Sequence, residues 1–496
     1  CCPERGLDSV GVYWLWRRRS PDLQADQELK GSMGRDDERL HETASLLGVG
    51  GVPLQKRRYT TFALIVLFTY AGLLALSILA GSGLRGDEVY HFGTAKVFAD
   101  RLPAIDIMDG YNSANTPLPY VLIGAVLKVT GTQSVLTARW TTVLVSLATI
   151  LVFHRLCLFV CKKEDIAQYY TLLLLFSPYF LLHSAIYYTI LYGMLFGLLG
   201  IFFAVRRRGV TDEIAAAACL SLAVLAQQWY LGYIAGLIVW IAVRLLTKRH
   251  GESKTREVIF LGLVTGSLLV PGFVFMRWGG LTHPAFRAHA VGFQPQNLVF
   301  FEMLAGFYLL PVALLGLKTL AATAQRSLLV GLAIVLAGCA CLSWKYQPTW
   351  SVHQGSGQMT GILMTATQAA DHVSQVLPKV ARLVFFVLGV LALCMLVLDS
   401  AFPTCEGETA KSSRWSDSLP RLWAKSPFLL VLLCSVVVLA FSELIGEKHF
   451  WFVIPVLLSI SLDRARIAGR MLRLWVLGMA VVGAGYALYW VLLKNV

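Results

Sequence analysis

Long apolar runs separated by short polar segments dominate the pattern of this chain. A helix needs about 20 predominantly apolar residues to cross a bilayer. Runs near this length predict thirteen candidate spans: 59–81, 135–160, 167–182, 185–205, 213–228, 230–247, 256–277, 298–318, 326–343, 379–401, 427–443, 449–462 and 471–492. Several are short, so we predict about 11–13 transmembrane helices. The pattern indicates an all-α polytopic membrane protein whose external loops carry short interfacial helices.

The first part of the chain differs from the rest. Residues 1–58 are polar and mixed in charge, with a basic run at 17–19 and an acidic run at 36–38. A segment of this composition cannot bury enough apolar surface to fold alone. We therefore expect a disordered cytoplasmic segment over 1–58, followed by one transmembrane domain over 59–496.

Composition excludes a soluble protein. Of 496 residues, 56% are hydrophobic and only 15% are charged, whereas soluble chains are about 25% charged. The mean hydropathy is +0.64, which is more apolar surface than one soluble core can hide. Most of the ten cysteines stand inside apolar runs. This is typical of small buried side chains rather than of a disulfide framework or a zinc site.

The distribution of Lys and Arg predicts the topology. The net charge is +14, and membrane proteins concentrate such charge on the cytoplasmic side, so we expect no nucleic acid partner. With these spans, the basic clusters share one face: 56–58, 162–163, 206–208, 248–249, 318 with 326, 411 with 414, and 464–470. The external face then receives three larger loops, 82–134, 278–297 and 344–378. An interfacial helix lies near 117–130, and the span at 379–401 starts on the external face.

The sharpest polar motif follows the first span. Asp87 and Glu88 are adjacent, and His91 comes three residues later. Ionisable groups near a membrane boundary are costly and are often functional. A carboxylate at this place can act as a general base on a hydroxyl group. A solvated acidic loop without function is the alternative, and the residues alone leave the choice open.

Polar and aromatic residues recur at other external boundaries. Asn115 lies in a rigid segment rich in Pro and Asn. Tyr187 and Tyr188 lie between two predicted spans, and Gln227 and Gln228 precede a tryptophan. Such amides and rings can bind a sugar, or they can form the aromatic belt that anchors helices at the headgroup level. The sequence leaves both interpretations open.

Cationic residues stand in two late external segments. Arg287 and His289 lie in the loop at 278–297, while Lys448 and His449 precede an apolar run. Cations at this level can hold a lipid phosphate and stabilise it as a leaving group. The alternative for the loop at 278–297 is a polar linker without function. The alternative for Lys448 is a side chain that extends from the apolar region to the membrane surface.

Taken in order, these motifs resemble the GT-C superfamily of membrane glycosyltransferases, which use lipid-phosphate sugars. Within it the chain is similar to the dolichyl-phosphate-glucose-dependent α-1,2-glucosyltransferase family. That family carries an Asp-Glu-aromatic-His motif after its first span, and residues 87–91 (Asp-Glu-Val-Tyr-His) match it. The other matching segments are 115–119, 187–189, 222–228, 279–280 with His289, and 449–450.

The resemblance implies an inverting hexosyltransferase. It would move a sugar, glucose in that family, from a polyprenyl- or dolichyl-phosphate donor to a glycan or lipid-linked acceptor. Asp87 or Glu88 would be the catalytic base, and Lys448, His449 and Arg287 would hold the donor phosphate. The residues implied in substrate binding are His91, Tyr90, Asn115, Tyr187, Tyr188, Gln227, Gln228 and His289. No cofactor is implied, and a divalent metal is permitted but not required.

The resemblance also implies a location. The site would face the ER lumen in a eukaryote, or the periplasm if the protein lies in a bacterial inner membrane. A transporter or lipid flippase is the rival class, since it too needs many spans and polar cavity residues. It would carry charged groups well inside its spans, whereas Glu302 and Asp399 stand near span ends. A structural subunit of a glycosylation complex would tolerate substitution of the acidic motif.

Overall fold

The computed structural model of the protein describes residues 54–104, 111, 113–247, 254–284, 292–314, 335, 374, 376–401, 427–441, 447–462 and 469–493. Over these ranges the chain is helical and contains no strand. It divides at Val66 and Leu67, inside the first helix, into units of residues 1–66 and 67–496. The first helix begins at Leu54, slightly before the predicted boundary at 59.

The helices follow the predicted apolar runs. They are α1 Leu54–Leu79, α2 Glu88–Arg101, α3 Leu118–Thr130, α4 Val135–Cys161, α5 Glu164–Leu175, α6 Pro178–Ala185, α7 Ile190–Arg206, α8 Val210–Ala226, α9 Leu231–Thr247, α10 Lys254–Gly266, α11 Leu269–Trp278, α12 Pro295–Tyr308, α13 Leu377–Ala401, α14 Pro427–Ala440, α15 Ile454–Ile460 and α16 Gly469–Leu488. Short 3₁₀ turns precede α9 and α15. The predicted interfacial helix near 117–130 is α3. The predicted span at 326–343 lies outside the described residues, apart from Val335.

Six segments in the described part of the chain are long and apolar enough to cross a bilayer. They are Tyr59–Leu79, Val135–Cys161, Gln228–Thr247, Lys254–Trp278, Leu377–Leu396 and Met471–Leu492. The pair formed by α6 and α7 passes the same criterion together and bends by 116° at its break. The all-α fold is thereby confirmed, and the protein is an integral membrane protein.

Ring and hydroxyl contacts fix the relative direction of α4 and α7. Thr142 and Tyr192 lie 3.3 Å apart, oxygen to oxygen, near the first residues of the two helices. Phe159 and Phe202 pack near their last residues, with ring centroids 6.1 Å apart. The two helices are therefore parallel, and α5 with α6 returns the chain between them. This places residues 186–189 at the end where α4 begins, which we call the site end.

The other end of these helices holds a network of buried charges. Arg207 donates to Glu213 at 3.0 Å and to Glu257 at 2.8 Å. Arg256 and Arg244 complete it, at 2.7 Å from Glu213 and 2.9 Å from Glu257. Both glutamates are buried. We call this the charged end, and the basic clusters at 162–163 and 206–208 share it, as the charge pattern predicts.

Asp212 forms a separate ion pair with Arg206 at the charged end. Arg206 Nε donates to it at 2.9 Å and the Arg208 amide at 2.8 Å, and these bonds hold its pKa down at about 2. We expect Asp212→Asn to lower the free energy of unfolding at pH 7 by about 1–2 kcal/mol. Because the pKa is depressed, this stabilisation is present above about pH 4 and is lost as the pH falls towards 2. Unfolding of both proteins in detergent across this pH range measures it.

The control for this prediction is Asp165→Asn. Asp165 is exposed in the first turn of α5, so its replacement should change the free energy of unfolding by less than about 0.5 kcal/mol. A difference between wild type and Asp212→Asn that persists unchanged at low pH would contradict the role given to the ion pair.

Close glycine contacts fix the direction of α13. Gly306 approaches Phe385, and Gly389 approaches Glu302, so α12 and α13 are antiparallel. Helix α12 begins at the site end, where the Gln294 amide donates to Ala440 O at 2.6 Å. Helix α13 therefore runs towards the site end, and the predicted direction of the span at 379–401 is wrong. The prediction assigned the direction of this span by alternating the predicted spans along the chain. The glycine contacts show directly that α13 runs opposite to α12.

Candidate functional site

The acidic motif stands at the site end, where α1 gives way to α2. The chain turns at Gly86, whose φ of +53° lies in the left-handed region that glycine adopts without strain. Asp87 occupies the N-cap position of α2, without a side-chain capping bond, and Glu88 is the first residue of the helix. Negative charge is favourable at this position because the amides of a helix N-terminus point towards it. Asp87 and Glu88 nevertheless have different surroundings.

Glu88 is fully buried and every lone-pair direction is engaged. Its Oε1 accepts from Arg139 Nε at 2.9 Å and from the Tyr187 amide at 2.8 Å. Its Oε2 accepts from Arg139 Nη2 at 2.6 Å and from the Arg85 amide at 3.0 Å. A carboxylate held by a bidentate arginine and two amides is fixed in place and sealed from substrate.

Arg139 extends this contact to the end of α1. Its Nη1 donates to Gly81 O at 2.7 Å and to Ser77 O at 3.4 Å, and its Nη2 donates to Gly83 O at 2.6 Å. A cation is favourable at the carbonyl end of a helix. Sequence reasoning missed Arg139, although an arginine inside the predicted span at 135–160 was the signal, because charge within a span is costly unless paired.

Asp87 is only partly buried. Tyr188 Oη donates to its Oδ2 at 3.3 Å. The Tyr188 ring stacks on His183 with centroids 4.3 Å apart, and the His91 ring meets its edge at 4.9 Å. The turn between α6 and α7 thus brings a phenol to the more accessible carboxylate, while the amide of the preceding residue binds the sealed one.

A chain of hydrogen bonds leads away from His91. Its Nδ1 lies 2.9 Å from Tyr120 Oη, which lies 2.5 Å from Ser113 Oγ. Ser113 Oγ in turn accepts from the Asn115 amide at 3.2 Å. Burial raises the pKa of Tyr120 above its ordinary value, so this phenol keeps its proton. The chain ties α2 and α3 to the loop at 113–117.

The amides of the site converge from two loops. Asn115 Nδ2 donates to Thr189 Oγ1 at 3.0 Å, and Gln227 Nε2 reaches the same oxygen at 3.5 Å. Gln228 Nε2 donates to Ala114 O at 3.1 Å. The Oε1 atoms of Gln227 and Gln228 are buried without a partner. Buried acceptors of this kind are costly, and they suit a ligand that brings hydroxyl donors.

The structure brings most of the predicted residues together. The shared cluster contains Asp87, Glu88, His91, Asn115, Tyr187, Tyr188, Gln227 and Gln228. Tyr90 does not join it, because its side chain is 65% exposed. Besides Arg139, the sequence analysis did not single out Ser113, Tyr120 and Thr189, although their segments were marked as polar.

The predicted phosphate ligands fall where the structure describes less. Arg287 and His289 lie outside the described residues. Lys448 and His449 belong to the 3₁₀ turn Glu447–Phe452. The structure describes the backbone of this turn, and the side chains of Lys448 and His449 lie outside the described part. This turn ends beside α9, where Phe452 O accepts from Tyr233 Oη. In the part of the chain that is described, no group of three or more His, Cys, Asp or Glu residues is placed to hold a metal ion.

Comparison with known proteins gives distant structural likenesses. No protein-family model matches the chain, and no curated protein matches it. The crystal structure of ArnT from Cupriavidus metallidurans in the apo state aligns over 83% of this chain and 78% of that one, with 16% identity and a TM-score of 0.35. The structure of the same protein bound to undecaprenyl phosphate aligns over 83% of this chain and 79% of that one, with 15% identity and a TM-score of 0.33.

Proposed function

We propose that this protein is a GT-C-type membrane glycosyltransferase. It transfers a hexose, glucose in the first instance, from a polyprenyl- or dolichyl-phosphate donor to a glycan or lipid-linked acceptor, with inversion. The proposal rests on the motif resemblance at 87–91 and on the site that these residues help to build. The donor's hydrocarbon chain stays in the bilayer while its sugar phosphate reaches the site end.

The different surroundings of Asp87 and Glu88 carry the proposal. A general base needs an ionised carboxylate that substrate can reach. Glu88 is sealed by Arg139 and two amides, whereas Asp87 is partly exposed at the site end, where it accepts a hydrogen bond from the Tyr188 phenol. Asp87 is therefore the base, and Glu88 is structural support beside it.

The mechanism is a single displacement. Asp87 removes the proton of the acceptor hydroxyl as its oxygen attacks the anomeric carbon of the donor sugar. The bond from that carbon to the phosphate oxygen breaks, and the lipid phosphate leaves with the electron pair. Sugar hydroxyls donate to the unpartnered Oε1 atoms of Gln227 and Gln228. Two fixed acceptors of this kind orient the donor for attack.

The remaining roles come from the motif resemblance. Lys448, His449 and Arg287 hold the leaving phosphate, since cations aimed at developing negative charge stabilise the transition state. The resemblance likewise assigns His289 to substrate binding. Tyr90 is implied in substrate binding by the resemblance, and its side chain is largely exposed outside the cluster.

The side of the membrane follows from charge. The site end lies opposite the basic residues of the charged end, and such clusters mark the cytoplasmic side. The reaction therefore takes place on the external side: the ER lumen in a eukaryote, the periplasm in a bacterium.

A transfer assay tests the function. Purified protein is given radiolabelled polyprenyl-phosphate-glucose or polyprenyl-phosphate-mannose, with candidate glycan and lipid-linked acceptors. We expect glycosylated acceptor and free polyprenyl phosphate to form in equal amounts, with glucose preferred. A protein that moves the labelled lipid across a vesicle membrane and forms no covalent product would instead be a flippase. Absence of donor binding would also refute the proposal.

A further inference from the structure

We propose that Arg139 is a positioning residue: its ion pair with Glu88 holds the Asp87–Tyr188 contact in place and cancels the Glu88 charge beside Asp87. The inference rests on the proposed function in taking Asp87 as the base. It assigns to Arg139 a role in setting the proton affinity of that base, in addition to holding the fold.

The first support is the number of segments that one side chain joins. Arg139, on α4, bonds the carbonyls that end α1 and the carboxylate that begins α2. The same carboxylate accepts the Tyr187 amide. Tyr188 is the next residue in the chain, and its phenol donates a hydrogen bond to Asp87. Both ends of the Asp87–Tyr188 contact are therefore held by the Arg139–Glu88 pair.

The second support is electrostatic. Like charge beside a carboxyl raises its pKa and opposite charge lowers it, by about one to three units within a few ångströms. Glu88 follows Asp87 directly in the chain and is fully buried, so its charge is poorly screened. Arg139 is equally buried and makes the pair neutral. Among the titratable and charged groups on the elements around Asp87, those that the contacts link to it or to its neighbours include Arg85, Glu88, His91, Tyr120, Arg139, His183, Tyr187 and Tyr188.

Two substitutions should shift the titration of Asp87 in opposite directions. Glu88→Gln keeps the shape of the side chain and leaves Arg139 unpaired and positive, since arginine does not deprotonate. The pKa of Asp87 should then fall. Arg139→Gln removes the positive charge beside the two carboxylates, and the pKa of Asp87 should rise. We expect displacements of about one pH unit each way.

A charge-conserving variant separates charge from geometry. Arg139→Lys keeps the positive charge but loses the planar fork that bonds both carboxylate oxygens. It should leave the titration of Asp87 close to that of wild type while lowering kcat, with little change in KM, because Tyr188 and Asp87 lose their alignment. If Arg139 only stabilised the fold, the titration of Asp87 would not separate Arg139→Lys from the two charge-changing variants.

Chemical labelling reads the titration without a substrate. A water-soluble carbodiimide with an amine nucleophile modifies protonated carboxyl groups, and mass spectrometry gives the extent at each residue. The pH of half-maximal labelling at Asp87 should move down in Glu88→Gln, up in Arg139→Gln, and stay in place in Arg139→Lys. Exposed Asp100 on the same helix is the internal control, and its midpoint should not move.

Two outcomes would overturn the inference. One is an Asp87 midpoint that is the same in all four proteins, and the other is a midpoint that moves in one direction in both charge-changing variants. Labelling needs no donor or acceptor, so this result stands whatever the transfer assay gives. Where transfer is measured, the acid limb of the kcat/KM profile should follow the labelling midpoints. Loss of transfer in Asp87→Asn with an unmoved limb in Glu88→Gln would leave the proposed function intact and refute the role of Arg139.

Discussion

Replacing Asp87 by asparagine is expected to lower kcat for sugar transfer by about a hundredfold to ten-thousandfold, which is the contribution that general-base catalysis makes. Asparagine has nearly the same shape, and its amide oxygen can still accept the hydrogen bond from Tyr188. The fold and the donor affinity should therefore stay close to wild type. Donor binding measured beside turnover separates loss of the base from loss of the site.

The matched control is Asp100→Asn on the same helix. Asp100 is exposed, and its Oδ1 accepts only a surface hydrogen bond from Gln133 at 3.1 Å. The same chemical change should leave kcat within about twofold of wild type, since surface substitutions have small effects. If Asp87→Asn retained a tenth of the wild-type rate, Asp87 would not be the base.

The largest loss of stability is expected where α12 and α13 cross. A Cβ on Gly389 would lie 1.8 Å from Glu302 O, and one on Gly306 would lie 1.9 Å from Phe385 O. These obstacles are backbone atoms, so the helices must move apart. Gly389→Ala should lower the free energy of unfolding by about 3 kcal/mol, at the upper end of overpacking costs. Chemical or thermal unfolding in detergent measures the loss.

Gly262→Ala is the matched control within a helix. Gly262 lies in α10, and nothing stands within 4 Å of the position its Cβ would take. Alanine restricts the unfolded chain and favours the helix, so the variant should gain about 0.5–1 kcal/mol. Equal stability of Gly389→Ala and wild type would show that α12 and α13 do not pack through their glycines.

The sequence predicts much of this molecule because its main signals are local. An apolar run must become a helix in a bilayer, since every backbone amide and carbonyl must be bonded within the segment. The bounds of α4, Val135–Cys161, thus follow the run at 135–160 closely. The polar motifs at Asp87, Asn115, Tyr188 and Gln227 interrupt such runs, and the alternation of spans predicts that they meet on one face.

The pairing of charges could not be predicted in the same way. Nothing local distinguishes Asp87 from Glu88, since the difference arises from Arg139, which lies 51 residues beyond Glu88 in the chain. The orientation of Tyr90 has the same character, because a step of one residue, about 100° around the helix, separates the exposed Tyr90 ring from the buried His91 ring. The direction of α13 depends on contacts at Gly306 and Gly389, which a hydropathy pattern does not contain.

The distance along the chain between Glu88 and its partners has a consequence for synthesis. The ribosome delivers the carboxylate first, Arg139 follows after 51 residues and Tyr187 after 99. Until α4 is inserted, the nascent chain carries a carboxylate at its first helix boundary without its counter-charge, which is costly once buried. Arg139 then joins the end of α1 and the start of α2 to α4, and the Tyr187 amide later binds the carboxylate that is already paired. The ion pair that holds this part of the site can therefore form only after α4 has been synthesised.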